Sequence, residues 1–257
     1  MGRLLSADVV RIFRSKWFWL CLGGMLALAG AFVVMQYTAM DYTVPLSRVI
    51  FLPMSFYGMA VAALVSLFVR EDFSDGFIRN KITAGHSKQS VFASHLIVSS
   101  LACMVIYFTV TLFAASLGCL FFEIDVSPAR FRQYLAMGTF MCLAYSSIYC
   151  CITMVCGNKT TSTVLCMGLA FFLLCACLHT NQVMVQPEYK NGIQNPAYVD
   201  GTAKVIYGFL HDLNPSGQAA QLSSMHIFHP GRWILCDFLW VLIFGAGCSV
   251  FRRKNIQ

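Results

Sequence analysis

Residues 49–69 read VIFLPMSFYGMAVAALVSLFV, and residues 70–90 read REDFSDGFIRNKITAGHSKQS. The first stretch runs for twenty-one residues without a charge, the length a helix needs to cross about 30 Å of hydrocarbon. The second carries the densest cluster of charge in a chain of 257 residues that is 58% hydrophobic and only 11% charged. A third stretch, 91–122, is apolar again. Long apolar runs joined by short polar segments predict an all-α, polytopic membrane protein, because every backbone polar group in lipid must be satisfied within its own helix. Barrel strands would instead alternate over about ten residues. A soluble domain of ordinary composition would carry far more charge.

Working outward, the same criterion predicts six spans at 17–36, 49–69, 91–122, 133–156, 163–180 and 233–251, in one membrane domain covering 1–257. Twelve of the eighteen Lys and Arg residues fall on the side that holds both termini and residues 70–90, and six on the other. Positive charge near short loops resists translocation, so the termini and the charged segment are expected in the cytoplasm. The net charge of +7 is mostly this bias and is not read as nucleic-acid binding. Arg11, Arg14 and Lys16 precede an apolar run containing Ala27-Leu28-Ala29, which resembles a cleavable signal. The run continues through Met35, so a retained span is expected. Before it, Leu5, Val9, Ile12 and Phe13 recur at helical spacing opposite Arg3, Arg11 and Arg14. Two readings stay open there: an amphipathic helix lying on the inner leaflet, or a charge cluster that only sets topology.

The loop 181–232 is the longest and is expected outside. Pro187, Asn191, Gly192, Asn195, Pro196 and Gly201 predict an irregular first half. Val205, Ile206, Phe209, Leu210 and Leu213 predict a short helix, and Asn214-Pro215 supplies an N-cap and a first-turn proline for a second one through Gln221. Both are too short to span and are expected to rest on, or dip into, the outer face.

Few residues suggest chemistry. All twelve cysteines fall within the predicted spans, which suits small buried side chains better than a disulfide framework or a zinc site. His226 and His229 share a face only if helical and have no carboxylate or cysteine nearby in sequence; His95 and His179 sit near span ends, where hydrogen bonding is expected. Asp237 is the one acidic residue clearly inside a span, and its place near the outer end beside Arg232 predicts a partly hydrated carboxylate. Gly157-Asn158-Lys159-Thr160 lacks the upstream glycine and the Gly-Lys adjacency of a nucleotide-binding loop. With no catalytic motif in view, no cofactor and no enzymatic role are expected.

Within 70–90, Ser74 or Asp75 can cap a short helix from Gly76 to about Ala84, with Gly85 just beyond it. Glu71, Asp72 and Asp75 gather at its start, while Arg79, Lys81 and Lys88 lie toward or past its end, which complements the helix dipole. Phe73, Phe77, Ile78 and Ile82 add apolar surface. Such a helix either docks a cytoplasmic partner or tucks under its own bundle; both remain open.

Glu71, the run Gly76-Phe77-Ile78-Arg79-Asn80-Lys81-Ile82, Gly85 and Ser87-Lys88 resemble the first cytoplasmic loop of type-2 ATP-binding-cassette exporter permeases, especially the six-span permeases of lantibiotic immunity systems. Residues 207–222, YGFLHDLNPSGQAAQL, resemble the short helices that precede the last span in that family. The sequence departs at Phe77, where threonine is common, and at Lys88, where arginine is common. The resemblance implies a type V exporter-like fold with a cytoplasmic coupling helix in a bacterial cell membrane. It also implies a second permease subunit, identical or sister, a separate ATPase subunit carrying the nucleotide sites, and an amphipathic substrate such as a peptide, lipid or drug. On that basis Glu71, Asp75, Phe77, Arg79, Lys81 and Ile82 are the expected ATPase-docking residues, with Glu71 and Arg79 as ion-pairing positions. The alternative is a non-transporting scaffold or sensor whose loop engages a signalling partner.

Overall fold

The computed structural model describes residues 2–39, 44–156, 159–190, 193–195, 198–227 and 229–253. Gly157, Asn158, Asn191, Gly192, Pro196 and Lys254 lie outside the described residues. Among the described residues the fold is all-α, with one two-residue antiparallel pair, β1 (Tyr189–Lys190) and β2 (Ile193–Gln194). Among the described residues, six helical segments are long and apolar enough to cross a membrane: Lys16–Ala39, Leu46–Ser74, Lys88–Phe121, Pro128–Cys156, Thr160–Val185 and Pro230–Arg252. Each contains most or all of one predicted span.

Helix α1 (Gly2–Arg14) buries Leu4, Asp8 and Ile12, one residue per turn, against the bundle. Leu5, Val9 and Phe13 pack beside them, so the apolar stripe expected to lie on the leaflet is turned onto the protein instead. The helix is amphipathic, and what its apolar stripe covers is chiefly α5, with α2 beside it. Ser15 ends it and accepts the backbone N–H of Trp17 at 3.3 Å, so that α2 (Lys16–Ala39) starts almost at once in a new direction.

The second span differs from a plain helix over 49–69. Short 3-10 turns at Leu46–Arg48 and Leu52–Phe56, the latter opened by Pro53, precede α3 (Tyr57–Ser74). Helix α3 carries on past Val69 and takes Arg70 to Ser74 into its last turns. The cap expected at Ser74 or Asp75 is therefore absent: Asp75 closes α3, and Gly76 stands at the N-cap of α4 (Phe77–Thr83) with no side-chain cap. Gly76 has φ of 71°, left-handed backbone that costs an L side chain about 1–2 kcal/mol, so this residue makes the sharp turn between two helices.

Helix α5 (Lys88–Phe121) begins at a true cap, Ser87 Oγ accepting Ser90 N–H at 3.1 Å. Its 34 residues extend about 51 Å, more than the roughly 30 Å of hydrocarbon a spanning helix must cross, a length that tilting or projection would accommodate. Helices α6 (Pro128–Cys156) and α7 (Lys159–Val185) complete the central bundle, α7 running past both predicted boundaries. The last span is two pieces, α10 (Pro230–Gly245) and α11 (Gly247–Arg253). A Cβ at Gly247 would lie 2.2 Å from Cys151 Sγ, so glycine lets the break press against α6 without displacing that side chain.

Between α7 and α10, α8 (Gly201–Leu213) and α9 (Pro215–Ser223) form a hairpin that enters the bundle. Asn214 is the expected N-cap, its Oδ1 accepting Ser216 N–H at 2.9 Å. Its amide donates to Leu173 O at 2.8 Å. Leu173 lies twelve residues before the end of α7, about 18 Å along that helix, so the hairpin tip is deep. Helix α9 is buried from Pro215 to Ala219, while α8 keeps Val205, Ile206, Phe209 and Leu210 exposed. That combination is the dipping alternative, with an inner helix packed on protein and an outer one showing an apolar face.

Candidate functional site: a buried ionic joint beneath α4

Where α1, α3, α4 and α5 meet, five ionisable side chains converge. Asp8 (1% exposed) and Asp72 (1% exposed) are the carboxylates. Lys81 Nζ lies 2.6 Å from Asp8 Oδ1 and 3.7 Å from Asp72 Oδ2. Arg11 pairs with Asp72 and stands 3.5 Å from Asp8. His95 Nε2 lies 3.1 Å from Asp72 Oδ2, and Ser94 Oγ donates to Asp8 Oδ2 at 2.7 Å. The Arg11 guanidinium also sits over the rings of Phe68 and Phe77, 5.2 and 4.7 Å from their centroids. At the margin, Trp17 Nε1 donates to Glu71 Oε1 at 2.6 Å.

Two carboxylates face two permanent cations, so the joint is balanced without counterions. Burial alone would raise the Asp8 carboxyl; the His95 ring and the hydrogen bonds from Lys81 and Ser94 reverse that and hold it below its ordinary value. Burial lowers the Lys81 amine against the opposing pull of Asp8, and lowers Arg11 against Asp8, Asp75 and Glu71. Such a joint resists separation, since pulling one helix away leaves the opposite charge buried and unpaired.

The six residues expected to dock a partner divide into two sets. Asp75, Phe77 (41% exposed) and Arg79 face outward. Lys81 turns inward to the joint, Ile82 packs on the core, and Glu71 is held by Trp17. The exposed face of α4 is completed by Asn80 and Thr83, and Ile78 (1% exposed) anchors its underside.

Asp8 and Ser94 escaped the sequence reading altogether. Asp72 read only as a dipole charge and His95 only as a span-end hydrogen-bonder. One signal was present: Leu4, Asp8 and Ile12 share a helical stripe, so an acid sits mid-way along an apolar face. At the opposite end of the bundle, the Tyr207 ring packs edge-on to His179 at 6.2 Å. Arg232 pairs with Asp212 at 2.5 Å rather than with Asp237. Asp237 is only 1% exposed, so the expected hydrated carboxylate is a buried one, its neighbouring cation already engaged on α8. No known family profile matches the chain, and no curated protein matches it.

Proposed function

We propose that the chain is the membrane-spanning subunit of an ATP-driven exporter, with the α4 end of the bundle and both termini in the cytoplasm and α4 as the contact for a separate ATPase. The carrying observation is the division of α4: Asp75, Phe77 and Arg79 face outward, while Lys81 ties the same helix to α1, α3 and α5. A push on the outer face is thereby delivered to two spans and the N-terminal helix together. A second copy or a sister subunit completes the transporter, and the substrate is amphipathic or hydrophobic, in keeping with the sparse charge inside the spans. The re-entrant α8–α9 hairpin supports a type V exporter-like arrangement.

The test is co-expression with a candidate ATP-binding-cassette ATPase, followed by co-purification. Asp75→Lys with Arg79→Glu should abolish the complex while leaving the isolated chain folded. A doubly reversed protein that still binds the ATPase and supports export refutes the assignment. Vesicles that hydrolyse ATP but never move or extract a peptide would favour the scaffold reading. Membrane-impermeant thiol labelling of cysteines placed at Arg79 and Asp200 checks orientation: labelling of the former from outside overturns it.

A further inference from the structure

At the end of the bundle that holds α4, a cleft of about 220 Å³ opens between the start of α2 and the end of α3, lined by Trp17, Leu67, Arg70, Glu71, Ser74 and Asp75. It is smaller than the roughly 300–1,000 Å³ of a drug-sized pocket, and its walls carry charge. Arg70, Ser74 and Asp75 are exposed. Among the described residues, neither Arg70 nor Ser74 has a side-chain hydrogen bond or an ion pair, and Asp75 has only the through-space attraction of Arg11, which is itself paired with Asp72. Arg70 and Asp75 stand five residues apart on the chain, about 7 Å along the axis of α3. The cleft thus presents a cation, a hydroxyl and a carboxylate that the protein itself leaves unjoined.

The opposite charges select the ligand. A lone anion drawn to Arg70 would meet Glu71 and Asp75 at close range. A lone cation drawn to Asp75 would meet Arg70, with Lys16 nearby, its Nζ 5.0 Å from the centroid of the Trp17 ring. A zwitterion answers both signs at once. The guanidinium and the hydroxyl suit a phosphate, whose oxygens accept hydrogen bonds, and the carboxylate, which has only acceptors, suits an ammonium bearing N–H donors. Position narrows the source. Trp17 is the second residue of the segment Lys16–Ala39 and Ser74 the last of Leu46–Ser74, the level at which lipid headgroups lie and tryptophans gather. Farther along α2, Trp19 and Leu20 are 60% and 66% exposed, an apolar surface for acyl chains below the headgroup.

We propose that this cleft binds the headgroup of phosphatidylethanolamine, its phosphate at Arg70 and Ser74 and its ammonium at Asp75. The site belongs to the isolated chain and is measured without an ATPase, so it stands or falls separately from the function proposed above.

The experiment is native mass spectrometry of the full chain in a non-ionic detergent, titrated in turn with phosphatidylethanolamine, phosphatidylcholine and phosphatidylglycerol of identical acyl chains. One phosphatidylethanolamine should saturate each chain, about tenfold or more tighter than phosphatidylcholine, whose quaternary ammonium has no N–H for Asp75, or phosphatidylglycerol, which has no cation. Arg70→Gln and Asp75→Asn should each weaken it by about tenfold and erase the preference. Ser74→Trp, which fills the cleft and leaves both charges in place, should do the same. All three positions are exposed, so the variants should melt as the parent does. Soluble phosphoethanolamine should compete only in large excess; an affinity equal to the lipid's would make this a solute site and overturn the proposal. Equal binding of the three lipids, adducts that never saturate, or unchanged affinity in Arg70→Gln, Asp75→Asn or Ser74→Trp would each overturn it as well.

Discussion

Replacing Lys81 by Met removes the cation that holds α4 to α1 while preserving the length of the side chain. Asp8 would keep Ser94 Oγ at 2.7 Å and Arg11 at 3.5 Å, and Asp72 would keep Arg11 and His95. The joint then holds two carboxylates against one permanent cation, with both acids almost fully enclosed. Breaking a buried pair from one side costs about 3–5 kcal/mol. With Arg11 remaining and the Lys81 side chain 13% exposed, the expected loss is about 2–3 kcal/mol. For a chain of this size that is a fall of about 5–10 °C in apparent melting temperature, read by fluorescence-detected gel filtration of heated samples in a non-ionic detergent. Arg79→Met, on the exposed face of the same helix, should change stability by about 0.5 kcal/mol or less. In the double variant Asp8→Asn, Lys81→Met the two losses should fall short of additivity by about 1–2 kcal/mol. The reasoning fails if Lys81→Met is as stable as Arg79→Met, or if the double variant loses the full sum.

Asp8 also sets a pH limit. Its carboxyl is held below the ordinary 3.8 in the folded protein, so its stabilising contribution is complete above that value and disappears as pH falls through the lower, folded one. Thermal stability should therefore drop below pH 3.8, and Asp8→Asn should flatten that part of the profile; an unchanged slope would refute the assignment. Gly247→Leu drives a side chain into Cys151 and should lower stability by about 1–3 kcal/mol, with Cys151→Ala partly restoring it in the same melting assay. Full stability of Gly247→Leu alone would mean that α11 does not pack against α6 there.

The legibility of the fold differs from that of the site. Spans such as 17–36 and 91–122 announce themselves because twenty apolar residues have one low-energy state in lipid. Asn214-Pro215 announces a helix start because its chemistry is local. The extension of α3 through Ser74 was hidden, since Arg70, Glu71 and Asp72 read as loop until their partners are seen. The turn that a cap at Ser74 or Asp75 would make is made by Gly76, whose left-handed φ leaves no trace beyond the residue type.

Composition and the length of the apolar runs thus determined the all-α, membrane-crossing class, because hydrophobic transfer and backbone hydrogen bonding act residue by residue along the chain. Tertiary structure decided which charges on 70–90 face outward and which are spent inward. Lys81 and Arg79 are two residues apart on one short helix and alike in sequence, yet one meets Asp8, some seventy residues away in the chain, and the other is exposed. Coulombic pairing depends on distance in space, and α1 supplies the acid only once it has folded against α5. For the same reason Asp237 read as an interfacial acid beside Arg232: the arginine's true partner, Asp212, comes from a re-entrant helix whose depth no local pattern specifies.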